Sequence, residues 1–249
     1  MISVNYFDNV VVVELNRSTT NALNPVLVQR LAAILHNLEA DPKVQALVLT
    51  SANDKFFSIG FDIPELYQLS KEEFETFYRN INQTCMALYT LPKPTVAAVT
   101  GHAIAGGCIL ALCCDYRLIG DGRKLVGLNE IKLGVPVPYL ADCILQSLVG
   151  TRRTQEIVEM GEFYEAQEAL EMGLVDKVLP LGEVLEKSIK KAKLLGSKPP
   201  GAYRIMKQNR VEGIEERILA HWEEKQRYFI ECWYSDEARE RLKKAMEKF

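Results

Sequence analysis

Thr95-Val96-Ala97-Ala98-Val99-Thr100-Gly101-His102-Ala103-Ile104-Ala105-Gly106-Gly107-Cys108-Ile109-Leu110-Ala111-Leu112-Cys113-Cys114 is the stretch that decides the fold. Thr95–Thr100 is short, apolar and partly β-branched, and predicts a buried strand. Gly101–Gly107 is a glycine-rich turn, and Cys108–Cys114 predicts a buried helix. A strand that feeds a helix through such a turn is a building unit of α/β proteins. The alternation recurs outward. Val10–Leu15 and Val44–Thr50 predict buried strands upstream, and Tyr116–Gly120 and Val175–Leu179 predict strands downstream. Asn24-Pro25 reads as an N-cap with proline at the first helical position, opening a helix to about Ala40. Ser51–Phe61 reads as a loop. Ser70-Lys71-Glu72-Glu73 fits a capping box, and its helix runs to about Leu91, where Pro92 and Pro94 stop it. Further helices start near Leu140 and Thr151. Strands cease after about Gly182, and Gly182–Leu195, Pro200–Arg210 and Ile214–Phe249 read as helical. This pattern alone predicts a parallel-sheet α/β domain with a helical appendage, without a low-complexity linker or an obvious repeat.

Composition narrows the function. The chain has 249 residues, 48% hydrophobic and 25% charged, enough for a sizeable core. Its net charge of −3 speaks against a general nucleic-acid binder, which needs a basic surplus. No run of about 18 apolar residues predicts a membrane span. The start, Met1-Ile2-Ser3-Val4-Asn5-Tyr6, lacks the basic and apolar regions of a secretory signal, so a cytoplasmic location is expected. The six cysteines show no Cys-x-x-Cys spacing and mostly lie in apolar stretches, where cysteine is a small buried hydrophobe.

Several chemistries fail on their motifs. The Gly101–Gly107 turn lacks the Lys-Ser/Thr end of a P-loop and the spacing of a dinucleotide fingerprint. Ser58 is not in a nucleophile-elbow context. The three histidines, His36, His102 and His221, form no metal-ligand spacing, so no metal site is expected. His36 and His221 read as surface residues. His102 reads as a hydrogen-bonded structural residue.

What remains is a pair of turns and an acid. Glycine at Gly106-Gly107 either permits tight packing or presents a helix-opening N–H to an anion. The same two readings hold for Ser58–Asp62. Glu130 stands among Val126, Leu128, Ile131, Leu133, Val135 and Val137, and a carboxylate in apolar surroundings is a stronger base.

At these residues the chain resembles the enoyl-CoA hydratase/isomerase family, the crotonase superfamily. The resemblance runs through Asn21-Ala22-Leu23, Phe57-Ser58-Ile59-Gly60-Phe61-Asp62-Ile63, Lys93–Val99, Gly106-Gly107-Cys108, Cys114-Asp115-Tyr116, and Glu168-Ala169-Leu170 to Gly173-Leu174-Val175-Asp176. It implies an α/β fold, a crotonase-like spiral of repeated ββα units over 1–195, with a helical C-terminal region over 196–249 that often packs on a neighbouring subunit. It implies an acyl-CoA thioester substrate, no cofactor, and a homotrimer or dimer of trimers. By motif position, the N–H groups of Phe61 and Gly106 would form an oxyanion hole. Ala22, Leu23, Ile59, Gly60, Phe61, Asp62, Ile63 and Gly106 would hold the substrate, and Glu130 would be the catalytic acid/base. Lys and Arg near the mouth would meet the phosphates of coenzyme A. Phe57, Phe61, Leu66, Tyr67, Val137, Tyr139 and Leu140 are expected as acyl-pocket walls.

One position departs from the hydratases of the family, which carry a glutamate just after the Gly-Gly-Cys turn and a second at the place of Glu130. Here the first is Ile109. Gly127-Leu128-Asn129-Glu130 with Leu133-Gly134 looks closest to the Δ3-Δ2-enoyl-CoA isomerase branch, which keeps one acid. Alternatives left open are hydration or another acyl-CoA reaction, and a non-catalytic acyl-CoA or RNA-binding relative.

Overall fold

The computed structural model describes residues 1–247. The expected helix to Phe249, and the end of the 196–249 region, run two residues past them. A hairpin of β1 (Ile2–Phe7) and β2 (Val10–Leu15) leads to α1 (Pro25–Ala40), β3 (Ala46–Ser51), β4 (Phe56–Ser58), the short α2 (Ile63–Leu66) and α3 (Lys71–Thr90). Then come β5 (Thr95–Val99), β6 (His102–Ile104), α4 (Gly106–Leu112), β7 (Tyr116–Gly120) and β8 (Leu125–Gly127). After a 3₁₀ turn at Glu130–Leu133 follow α5 (Tyr139–Met160), β9 (Tyr164–Glu165), α6 (Ala166–Met172) and β10 (Lys177–Leu179). The chain continues through α7 (Val184–Gly196), α8 (Pro200–Ala220), α9 (Trp222–Trp233) and α10 (Asp236–Met246).

Two sheets replace the single one that the residue pattern predicts. Six strands order as β1-β2-β3-β5-β7-β10, and four short ones as β4-β6-β8-β9. Each of β3, β5 and β7 runs into a short strand of the second sheet before the chain turns into helix. That matches the repeated ββα units implied by the family resemblance. The first sheet is parallel apart from the β1–β2 hairpin. Both its faces are covered, which explains the unbroken apolar runs. Val11, Val13 and Leu15 pack into the main core with α1 and α3. Val10, Val12, Val48, Val96 and Ala98 pack with Val184 and Ala192 of α7.

The predicted caps form. Asn24 Oδ1 accepts from Leu27 N at 2.9 Å, and the Ser70/Glu73 box is reciprocal. α5 is broken at Gly150 (φ 80°, ψ 161°), so the segments from Leu140 and Thr151 meet there. α8 runs on to Ala220, past the expected end at Arg210. The single helix expected over Ile214–Phe249 is broken at His221 and again at Ser235, whose Oγ accepts from Ala238 N at 3.3 Å. Asp115, at the start of β7, ties α8 down. Lys207 Nζ lies 3.0 Å from its carboxylate, with Tyr203 and Arg210 also bonded to it. The last two helices fold back over the turns that follow β4 and β8, with Phe229 and Trp233 against Phe61 and Ala238 against Gly134.

Candidate active site

Three turns border one cavity of about 1030 Å3, and each comes from the end of a strand in the smaller sheet. The first follows β4. Gly60 takes φ +85°, Leu23 N donates to Gly60 O at 2.7 Å, and Asp62 N donates to Leu23 O at 2.9 Å. The Gly60 amide donates to Ser58 Oγ at 3.2 Å. The amides on both sides of Phe61 are thus engaged, while Phe61 N–H meets no acceptor among the described residues.

The second turn follows β6. Ala105 sits at φ 48°, ψ −120°, a backbone that residues with side chains rarely adopt. The next amide, Gly106, opens α4 and also lacks an acceptor among the described residues. The two turns touch. A methyl group on Gly60 would stand 2.7 Å from Gly106 N, and one on Gly106 would stand 3.1 Å from Gly60 Cα. The approach leaves no room for a side chain on Gly60 and little for one on Gly106.

The third turn follows β8 and carries Glu130. Gly134 closes it at φ 78°, donating to Ile131 O, and Val135 N donates to Glu130 O at 3.2 Å. Glu130 is 6% exposed, lines the cavity, and its Oε2 is buried with no hydrogen-bond partner among the described residues. Burial pushes its carboxyl up to about 7, only partly offset by its own backbone N–H. A base must be ionised to accept a proton, so activity should rise with pH through a limb centred near pH 7. A kcat/KM profile checks this; a limb at the ordinary glutamate value would mean that the carboxyl is solvated.

Ile109, one helical turn beyond Gly106, lines the same cavity at 5% exposure. Leu133, Val135 and Pro138 continue the apolar wall, and Phe229 and Trp233 of α9 complete it. Trp233 stacks on Phe74 at 4.4 Å and Phe229 on Tyr78 at 4.1 Å, and both meet the Phe61 ring edge-on. At the mouth stand Lys55, Lys132, Arg241 and Lys244. Lys132 pairs with Glu162, Arg241 with Glu237 and Lys244 with Glu240, whereas Lys55 has no carboxylate partner among the described residues.

A second cavity of about 480 Å3 adjoins the first and shares Thr20, Ile59, Phe61 and Ile63 with it. Ala22 and Asp62 line it as well. Leu23 and Gly60 lie behind the surface and contribute backbone bonds rather than walls. The Asp62 carboxylate is already engaged by Arg17 at 2.7 Å and by Glu65 N at 3.1 Å.

Of the seven acyl-pocket walls expected from sequence, Phe61 lies on the cavity and the other six do not. Phe57 is fully buried on the opposite face of β4 from its neighbour Phe56, which does line the cavity. Phe229 and Trp233 were missed. Nothing in a charged amphipathic helix says where it docks. His102 is structural, its Nδ1 accepting from Leu125 N at 2.9 Å. His36 and His221 are exposed. No group of three or more His, Cys, Asp or Glu among the described residues is placed to hold a metal ion. No helix among them is long and apolar enough to cross a membrane.

The family model described as enoyl-CoA hydratase/isomerase matches residues 6–249. The chain belongs to the enoyl-CoA hydratase/isomerase family. Within this family it is 33% identical to mouse mitochondrial enoyl-CoA delta isomerase 1 over 180 residues, 72% of this chain but 62% of that protein's length. It is 30% identical to the short-chain-enoyl-CoA hydratase of Clostridium acetobutylicum over 240 residues, 96% of this chain and 92% of that one. The crystal structure of human mitochondrial delta3-delta2-enoyl-CoA isomerase superposes with a TM-score of 0.95, at 25% identity, covering 99% of this chain and 97% of that one. Enoyl-CoA hydratase from Bacillus anthracis follows the same fold with a TM-score of 0.82, at 30% identity, covering 99% and 96%.

Proposed function

We propose that this family member is a Δ3-Δ2-enoyl-CoA isomerase working through Glu130 alone. The observation that carries the reading is the composition of the cavity. Glu130 is the buried carboxylate on its wall, and Ile109, also on that wall, is at the position where the family resemblance implies a second carboxylate in a hydratase. The other acids along the cavity, Glu237 and Glu240, are exposed and paired to cations on their own helix.

Glu130 removes a C2 proton from a 3-enoyl-CoA. The C–H electron pair forms the enolate, whose oxygen is held by the N–H groups of Phe61 and Gly106. The enolate electrons then shift along the chain, Glu130 returns the proton at C4, and the double bond rests between C2 and C3. No redox step or external base enters, and the reading needs no cofactor. Each oxyanion donor contributes about 3 kcal/mol to the transition state, by analogy with measured removals. The apolar wall suits a step in which water would only compete. In this reading Ala22, Ile59, Asp62 and Ile63, which line the adjoining cavity, hold the coenzyme A moiety, and Lys55, which has no carboxylate partner among the described residues, meets its phosphates. Self-association into a homotrimer or dimer of trimers belongs to the same reading, and exposed Ile205 and Met206 on α8 supply apolar surface for it.

Hydration is the second reading, supported by hydratase relatives of comparable identity. An absorbance assay with 3-hexenoyl-CoA and crotonyl-CoA separates the two. Isomerisation of the first with little hydration of the second is expected, and Ile109→Glu should add at most weak hydratase activity, since a water also needs room. Brisk native hydration of crotonyl-CoA would overturn the single-acid reading.

A further inference from the structure

We propose that Asn21 is a positioning residue for the oxyanion hole, acting through Ser58 to hold the Gly60–Phe61 amides in place. The inference rests on the reading of Phe61 N–H as an oxyanion donor. Asn21 is fully buried and takes φ +47°, a left-handed backbone that asparagine accepts more readily than most residues with a side chain. It lies far in sequence from the Phe61 turn, yet two of its bonds reach β4, the strand that leads into that turn. Its Nδ2 donates to Ser51 Oγ at 2.9 Å and to Phe57 O at 3.3 Å. Its Oδ1 accepts from Arg17 N at 2.9 Å. Its backbone carbonyl accepts from Ser58 Oγ at 2.8 Å.

Ser58 is the link from there to the site. It is fully buried, and its hydroxyl both donates to Asn21 O and accepts from Gly60 N at 3.2 Å. That bond orients the peptide just before the Phe61 amide. Ser58 also backs onto the other turn, since a methyl group on Gly107 would stand 2.1 Å from Ser58 O. One residue therefore bonds the Gly60 amide and packs directly against Gly107. Neither Asn21 nor Ser58 lines the main cavity, so neither touches substrate there. The donor pattern suits asparagine. Ser51 Oγ donates its proton to Phe56 O and so accepts from Asn21, and Phe57 O can only accept. A carboxylate at position 21 would set oxygen against oxygen at both contacts.

Oxyanion donors stabilise a transition state because they are aimed before charge develops. Loosening the brace should therefore lower turnover without weakening ground-state binding. Asn21→Gly keeps the left-handed backbone accessible and deletes the side-chain bonds. Ser58→Ala deletes the hydroxyl link alone. Both variants are compared with wild type by kcat and KM on 3-hexenoyl-CoA, by the pH profile, and by the fraction of bound acetoacetyl-CoA present as enolate, read from its ultraviolet absorbance. The expected result is a kcat loss of ~10-fold or more, with KM changed less than about threefold. The enolate fraction should fall, and the limb set by Glu130 should not move, because Glu130 sits on a different turn. Folded variants that keep kcat and the enolate fraction would overturn the proposal while leaving the isomerase reading intact. If Asn21→Gly does not fold, Ser58→Ala decides the matter by the same measurements. If wild-type protein neither ionises acetoacetyl-CoA nor isomerises 3-hexenoyl-CoA, the site reading fails and this proposal fails with it.

Discussion

Glu130→Gln is expected to lower kcat by ~10³-fold or more while acyl-CoA binding stays within about threefold of wild type. Glutamine preserves the shape of the side chain and its contacts, but cannot take up a C2 proton. The same substitution should change stability with the opposite benefit. A glutamate carboxyl ordinarily titrates at 4.5, and burial raises that of Glu130 to about 7 in the folded protein. Below the lower value both folded and unfolded chains carry it neutral, and its burial is tolerated. As pH rises through the higher value the folded protein must hold an unpartnered buried charge. The stability present at acid pH is thereby lost, a difference of about 3 kcal/mol. The glutamine variant escapes this loss. Its Tm should exceed that of wild type near ~pH 8, with the gap closing toward ~pH 5. Isothermal titration with a saturated acyl-CoA, steady-state turnover and thermal melts at both pH values test the set. Near-wild-type turnover would remove Glu130 from the reaction, and parallel melts would show that its carboxyl is solvated when folded.

Gly60→Ala should cost ~10²–10³-fold in kcat, comparable to deleting one oxyanion donor. The added methyl would meet Gly106 N at 2.7 Å and Ile104 O at 3.1 Å, and φ +85° is strained for any L side chain. Both obstacles act where the Gly60 turn meets the Gly106 turn, so the turns must part. The limb near pH 7 should persist, because Glu130 hangs from the β8 turn and not from this one. Circular dichroism shows whether the variant is folded. A folded Gly60→Ala protein with undiminished kcat would mean that the paired amides are not where negative charge develops.

The two predictions draw on features of very different legibility. Glu130 stands out by its apolar neighbours in the sequence, but Ile131 beside it is exposed in the structure, so the burial of the carboxyl comes from tertiary packing and not from those neighbours alone. Ile109 was visible because its position after Gly106-Gly107-Cys108 is defined by the chain itself. The smaller sheet was not visible from residue pattern. β4, β6 and β8 are three residues each, too short to display any period; β4 and β6 fall inside segments that read as loop or turn, and Leu125–Gly127 reads as no element at all. Only the family resemblance supplied them, and they carry all three turns of the site. The break at Ser235 was equally hidden, although its side chain makes an ordinary N-cap, because a continuous amphipathic pattern runs through it.

The amino-acid order by itself determined five of the six strands of the large sheet, all but the edge strand β1, together with the capped helices α1 and α3, the two glycine turns and the solitary acid. Each depends on neighbours within a few residues, where backbone sterics and apolar periodicity act directly. Tertiary structure alone decided that Phe229 and Trp233 wall the cavity, that Phe57 faces away from it, and that Asn21 braces the turn bearing Phe61. Those outcomes join residues tens to more than a hundred positions apart. They arise from which apolar faces cover one another and which buried polar groups find partners, and neither can be evaluated until the chain has closed on itself.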